Sequence, residues 1–133
     1  SILWWFKEFL DIVGQDKAGL LMHTDPKDPN GQDLEAMLHH LDITDGQAKF
    51  SVGHIPAQEV AALYNVADVT VNISDAEGVG LSVLESLACE TPAIVNLTGG
   101  LQDQITDGEN VFRSSVNTSI KSSYRLAASS FYL

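Results

Sequence analysis

The chain of 133 residues has one cysteine, Cys89, which excludes an internal disulfide framework. It is also poor in cations: Lys and Arg number 7 against 18 Asp and Glu, a formal charge of −11. No arginine occurs before Arg113. A field of that sign opposes non-specific binding to nucleic acid or anionic lipid. No apolar run approaches the roughly 18–20 residues that a membrane helix needs. The opening Ser1-Ile2-Leu3-Trp4-Trp5-Phe6 meets Lys7 and Glu8 at once, so it lacks both the basic start and the long apolar centre of a signal peptide. A cytoplasmic setting is expected. What is present, 44% apolar and 19% charged residues, is globular composition with room for one domain.

Along the chain, apolar residues recur at two periods. Leu3, Phe6, Phe9, Leu10 and Val13 form a helical stripe that Gly14 ends, and Leu34, Met37, Leu38 and Leu41 form a second. Pro56 suits the first position of a third helix, where its missing N–H costs nothing. Ala18–Met22, Lys49–Gly53, Val69–Ile73, Pro92–Val95 and Val111–Phe112 read as strands, and Leu81–Cys89 and Leu101–Ile105 as helices. Strands alternating with helices through short connections predict an α/β fold, a doubly wound parallel sheet with helices on both faces. The tail from Ser114 differs: up to Ser130 it has seven serines, no Gly, Pro, Asp or Glu, and only weakly helical spacing.

The stretch Ser74 to Glu85 follows the strongest strand and opens a helix. In an open parallel sheet, ligands bind beyond the carboxyl ends of the strands. Gly78 and Gly80 leave backbone accessible, and the helix start presents unpaired N–H groups, an arrangement suited to phosphate. Glu77 and Glu85 flank that site. Carboxylates beside a phosphate make sense as acceptors for neutral hydroxyls, which sugars supply, so the pattern suits a nucleotide-sugar. The competing reading is local: Ser82-Val83-Leu84-Glu85 has the form of a capping box, in which Glu85 is structural.

From Glu77 to Val95 the sequence resembles the E-x7-E signature of retaining glycosyltransferases with the GT-B fold. Thr98-Gly99-Gly100 and Asp107-Gly108-Glu109-Asn110 resemble that family's glycine turn and D-G-x-N turn, and Phe50 to Ile55 resembles its base-side strand end. The resemblance runs from about residue 3 to residue 113. It implies that Glu77 and the backbone of Gly78, Val79 and Gly80 meet the donor sugar. The amides of Leu81 and Ser82 would face the diphosphate, Glu85 the ribose, and the backbone of His54 and Ile55 the base. It implies a nucleotide-diphosphate sugar as donor and no cofactor. Val79 departs from the usual bulky residue, and Glu90 and Val111 stand where the family usually has glycine.

The resemblance further implies a fragment. Residues 1–113 read as a nucleotide-sugar-binding domain truncated at its N-terminus, and 114–133 as a tail. The family's first strand, the following Arg and Lys, and the acceptor domain would lie outside the chain. A first central strand upstream of Ser1 would leave a gap between the strands near Leu20 and Val71, to be closed, filled by a second copy through self-association, or filled by the tail, of which Ser130–Leu133 is apolar but short. The chain alone is expected not to transfer sugar. A non-catalytic nucleotide-sugar binding or interaction module remains an alternative; an epimerase fits the E-x7-E spacing less well. Metal is not expected. His39 and His40 are adjacent on a helix and diverge by about 100°, and Asp25, Asp28 and Asp33 miss calcium-loop spacing.

Overall fold

A computed structural model describes residues 1–74, 78–96, 98–104, 111–113 and 124–129. Eleven elements follow in order: α1 (Ile2–Val13), β1 (Ala18–His23), α2 (Leu34–His40), β2 (Ala48–Ser51), α3 (Ala57–Val66), β3 (Val69–Asn72), α4 (Leu81–Ala88), β4 (Ala93–Val95), α5 (Leu101–Gln104), β5 (Val111–Arg113) and β6 (Tyr124–Ser129). The alternation is the expected one to within two residues at each boundary, through β5. Pro56 lies one position earlier than expected, as the N-cap of α3 rather than its first residue.

The strands form one parallel sheet in the order β2-β1-β6-β3-β4-β5. The expected gap between β1 and β3 is not there, because the tail fills it. β6 pairs along its whole length with β1, from Ala18↔Tyr124 to His23↔Ser129. On its other edge it pairs with β3, from Val69↔Leu126 to Val71↔Ala128. The tail is therefore a strand over Tyr124–Ser129, not weakly helical, and Ser130–Leu133 lies outside the described residues. The physical reason is tertiary. A slot between two strands satisfies both backbone edges of whatever enters it, which outweighs local helix preference.

The sheet separates two cores. On β4, Ala93 and Val95 join one cluster with Val83 and Leu101, while Ile94 packs against the other. Successive side chains of a strand point to opposite faces, so the clusters lie on opposite sides of the sheet. The first side is apolar throughout: Ile2, Leu3, Phe6 and Leu10 of α1, Leu20 and Met22 of β1, Leu41, Ile43 and Val71. α1 docks through its stripe and is capped by the Ser1 hydroxyl on the Leu3 N–H. Phe6 is fully buried, Trp5 stacks on Phe9, and Trp4 sits half exposed with its ring edge against His40. The three aspartates that mimic a calcium loop have local tasks. Asp25 and Asp28 accept from the backbone N–H groups of Lys27 and Asn30, and Asp33 caps α2 through the Ala36 N–H.

The second side is covered by α4 and α5, and it carries buried polar groups. Thr70, Asn72, Ser86 and Thr91 are all buried there. α4 ends without glycine, as the sequence requires. Glu90 takes the left-handed conformation at φ 59°, and the Glu90 and Thr91 N–H groups close onto the carbonyls of Leu87 and Ser86.

Candidate functional site

Because all paired strands run parallel, their carboxyl ends share one edge of the sheet. That edge holds the turn after β2 with His54 and Ile55, the loop after β3 with Gly78, Val79 and Gly80, and the Thr98-Gly99-Gly100 turn after β4. β2 and β3 are three strand spacings apart in the sheet, about 14 Å at the usual interstrand distance. Doubly wound sheets bind ligands at this edge, near the point where strand order reverses. His54 is exposed and Ile55 half-buried.

The loop after β3 is braced from both sides. Asn72 Oδ1 accepts the Ser74 N–H at 3.0 Å. The Ser74 carbonyl accepts from Asn96 Nδ2 at 3.4 Å and Thr98 Oγ1 at 3.3 Å. Further on, the Gly78 carbonyl accepts the Gly100 N–H at 2.9 Å. The approach is so close that a Cβ on Gly100 would lie 2.2 Å from the Gly78 oxygen. This gives the second glycine of the Gly99-Gly100 pair its role: backbone must touch backbone there. Asp75, Ala76 and Glu77 are outside the described residues, as is Asp107–Asn110.

Gly80 then starts α4. It is buried and left-handed, with φ 71° and ψ 43°, and caps the helix with its carbonyl, which accepts from Val83 and Leu84. A side chain in that conformation costs about 1–2 kcal/mol. Leu81 and Ser82 supply the first amides of the helix, ahead of any intrahelical partner, at the positive end of the helix dipole.

The N-cap position decides against the capping box. A box would need Ser82 as the cap and Glu85 turned back to its N–H. Instead Ser82 is inside the helix and the cap is Gly80, without a side-chain bond. The Glu85 side chain is exposed and reaches Tyr64: the Tyr64 hydroxyl donates to Glu85 Oε2 at 3.1 Å. Among the described residues, Glu85 Oε1 takes no hydrogen bond. Burial of Tyr64, together with the negative charge of Glu85 beside it, holds the phenol far above the usual tyrosine range, so it stays protonated and donates.

Tyr64 is the residue that periodicity alone did not single out. It reads as one more apolar position on the α3 stripe, yet a buried tyrosine hydroxyl needs a partner, and a glutamate of the next helix supplies it. Asn72 and Asn96 were likewise hidden, one inside the clearest strand and the other in a loop. A polar side chain at a buried strand end was the available signal.

The profile of the family described as Glycosyl transferases group 1 matches residues 9–125. The chain belongs to this family. The match continues past Arg113, where the motif resemblance stops. Among curated relatives, a D-inositol 3-phosphate glycosyltransferase of Streptosporangium roseum is 47% identical over 53 residues, 40% of this chain and 12% of that protein. An alpha-monoglucosyldiacylglycerol synthase of Streptococcus pneumoniae is 34% identical over 100 residues, 74% of this chain and 22% of that protein. A trehalose synthase of Thermococcus litoralis is 38% identical over 58 residues, 44% of this chain and 14% of that protein. The chain thus spans about an eighth to a fifth of the length of these group 1 glycosyltransferase relatives. No solved structure gives a significant match.

Among the described residues of this group 1 family member, no helix is long and apolar enough to cross a membrane. A recess of about 430 Å³ opens at the opposite edge of the sheet, between Asp16, Asp45, Lys49 and Val66. It lies at the amino ends of the strands, away from the edge where this fold places ligands.

Proposed function

We propose that the chain is the donor-binding part of a retaining glycosyltransferase that moves a hexose from a nucleotide-diphosphate sugar to an acceptor. The observation that carries this reading is Glu85. Its carboxylate is exposed, projects from the helix that opens at the glycine loop, and has no capping duty to explain it. In this reading Glu85 accepts hydrogen bonds from the ribose hydroxyls. The Leu81 and Ser82 amides meet the diphosphate, where unpaired N–H groups and the helix dipole favour anions. Gly78, Val79 and Gly80, with Glu77, face the donor sugar, and the backbone at His54 and Ile55 faces the base. In this reading the nucleoside diphosphate is the leaving group, and no cofactor is assigned. Relatives with three different names each match part of this chain, which fits a domain common to several reactions.

Leaving-group stabilisation is an electrostatic task. Three lysines of the described residues are already committed: Lys7 pairs with Asp11, Lys17 with Asp16 and Lys27 with Glu35. A fourth, Lys49, lines the recess at the opposite edge of the sheet, so in this reading the diphosphate is met by backbone amides and not by these lysines.

Titration calorimetry with a series of nucleotide-diphosphate hexoses tests it. The parent chain is expected to bind one base preferentially. Glu85→Ala is expected to weaken that binding by about 1.5–3 kcal/mol, the range for hydrogen bonds to a charged group, with a modest fall in the melting temperature because the Tyr64 hydroxyl loses its partner. Loss of stability without selective loss of binding contradicts the reading.

A further inference from the structure

Glu85 carries the ribose role in the donor-binding reading, and a role for Tyr64 beside it rests on that reading. An exposed glutamate on a helix samples several rotamers, and ordering one on binding costs affinity. Glu85 is not left to do so. It is tied to a buried tyrosine of the neighbouring helix, and that tyrosine is itself fixed.

The fixation is a chain of buried hydrogen bonds. Thr91 Oγ1 donates to the Tyr64 carbonyl at 2.8 Å, locking the end of α3 to the turn after α4. Ser86, the residue after Glu85, has its Oγ 2.8 Å from both the Thr91 carbonyl and Thr70 Oγ1. A carbonyl only accepts, so Ser86 donates to it and the Thr70 hydroxyl supplies the second bond. Thr70 and Ser86 are fully buried and Thr91 nearly so. Such networks, when every member is satisfied, specify one arrangement. Here the arrangement joins β3, α3, α4 and the turn before β4, and its outer end is the Tyr64 hydroxyl on Glu85 Oε2.

We propose that Tyr64 is a positioning residue for the donor site: its hydroxyl holds one oxygen of the Glu85 carboxylate so that the other is presented to the ribose hydroxyls. The hydroxyl is a donor only to Glu85 and does not touch the ligand. It selects the orientation of the acceptor before the nucleotide arrives. Removing it leaves the charge of Glu85 in place but frees its rotamers.

Tyr64→Phe keeps the ring and removes only the hydroxyl, so the melting temperature is expected to stay near the parent's. Affinity for a nucleoside diphosphate is expected to fall three- to tenfold. Preference for it over its 2′,3′-dideoxy analogue, a readout that a packing role would not move, is expected to fall by a similar factor. In the Glu85→Ala background, Tyr64→Phe is expected to change neither quantity. If Glu85→Ala weakens binding and Tyr64→Phe does not, or if the two losses add fully, the positioning role is overturned while the donor-site reading stands. If neither substitution affects binding, the donor-site reading itself fails. Should Tyr64→Phe not fold, side-chain couplings in the parent protein decide the matter. One Glu85 rotamer without ligand is expected, and averaging over several overturns the proposal.

Discussion

The two faces of strand β3 are built on different principles. Val69 and Val71, with Ile73 just past the strand, look into a continuous apolar core with α1, β1 and the end of α2. Thr70 and Asn72, one residue out of step, are both fully buried on the other face. Thr70 meets Ser86 of α4, and Asn72 holds the start of the glycine loop. The apolar cluster on that second side is small, with Val83, Ala93, Val95 and Leu101 as its buried members. Burial of apolar area is strong but non-directional, and volume-conserving changes are tolerated. Hydrogen bonds contribute less net stability but fix distances and angles. The first face holds the sheet together; the second sets where Glu85 and the loop stand.

The two faces should therefore respond differently to substitution, most visibly on the apolar one. Phe6→Ala is expected to cost about 3–5 kcal/mol, the usual cost of emptying a large core position. Denaturant melts should show that loss, while the folded fraction keeps its ligand selectivity. On the polar face, Ser86→Ala strands the Thr91 carbonyl and a Thr70 partner, and a loss of roughly 1–3 kcal/mol is expected. Binding titrations should show weaker nucleotide binding in the same variant. Gly100→Ala drives a methyl into the Gly78 carbonyl. Overpacking of that kind costs about 1–3 kcal/mol, and the displaced loop should weaken sugar-donor binding more than binding of the free nucleoside diphosphate. The smallest change runs in the other direction. Glu90→Gly relieves a left-handed residue at the end of α4 and is expected to stabilise the chain by about 0.5–1 kcal/mol without touching binding, as melting and titration of one sample will show.

The element order from α1 to β5 was legible because helix and strand periods are clean and the punctuating residues Gly14, Pro56 and Gly99-Gly100 stand where the chain turns. The loop was legible as a candidate site because its glycines and its glutamates sit at fixed offsets after a strand. β6 was not. Tyr124–Ser129 has no strand periodicity that sets it apart, and its conformation comes from the two strands it lies between. Tyr64 was not legible either. Its partner is a glutamate 21 positions on, and only the packing of α3 on α4 brings the two together. The capping-box reading of Glu85 was a fair inference from Ser82 to Glu85. It fails because Gly80, in a conformation that needs no Cβ, starts the helix two residues earlier.

The proposed donor binding turns on recognition of ribose hydroxyls by Glu85, and one paired titration isolates that contact. The parent chain and Glu85→Ala are each titrated with a nucleoside diphosphate and with its 2′,3′-dideoxy analogue. The parent is expected to prefer the ribose form by about 1.5–3 kcal/mol, and the variant to lose that preference while binding the dideoxy form as the parent does. A parent chain that binds both forms equally, or a variant that keeps the full preference, would contradict the ribose role of Glu85.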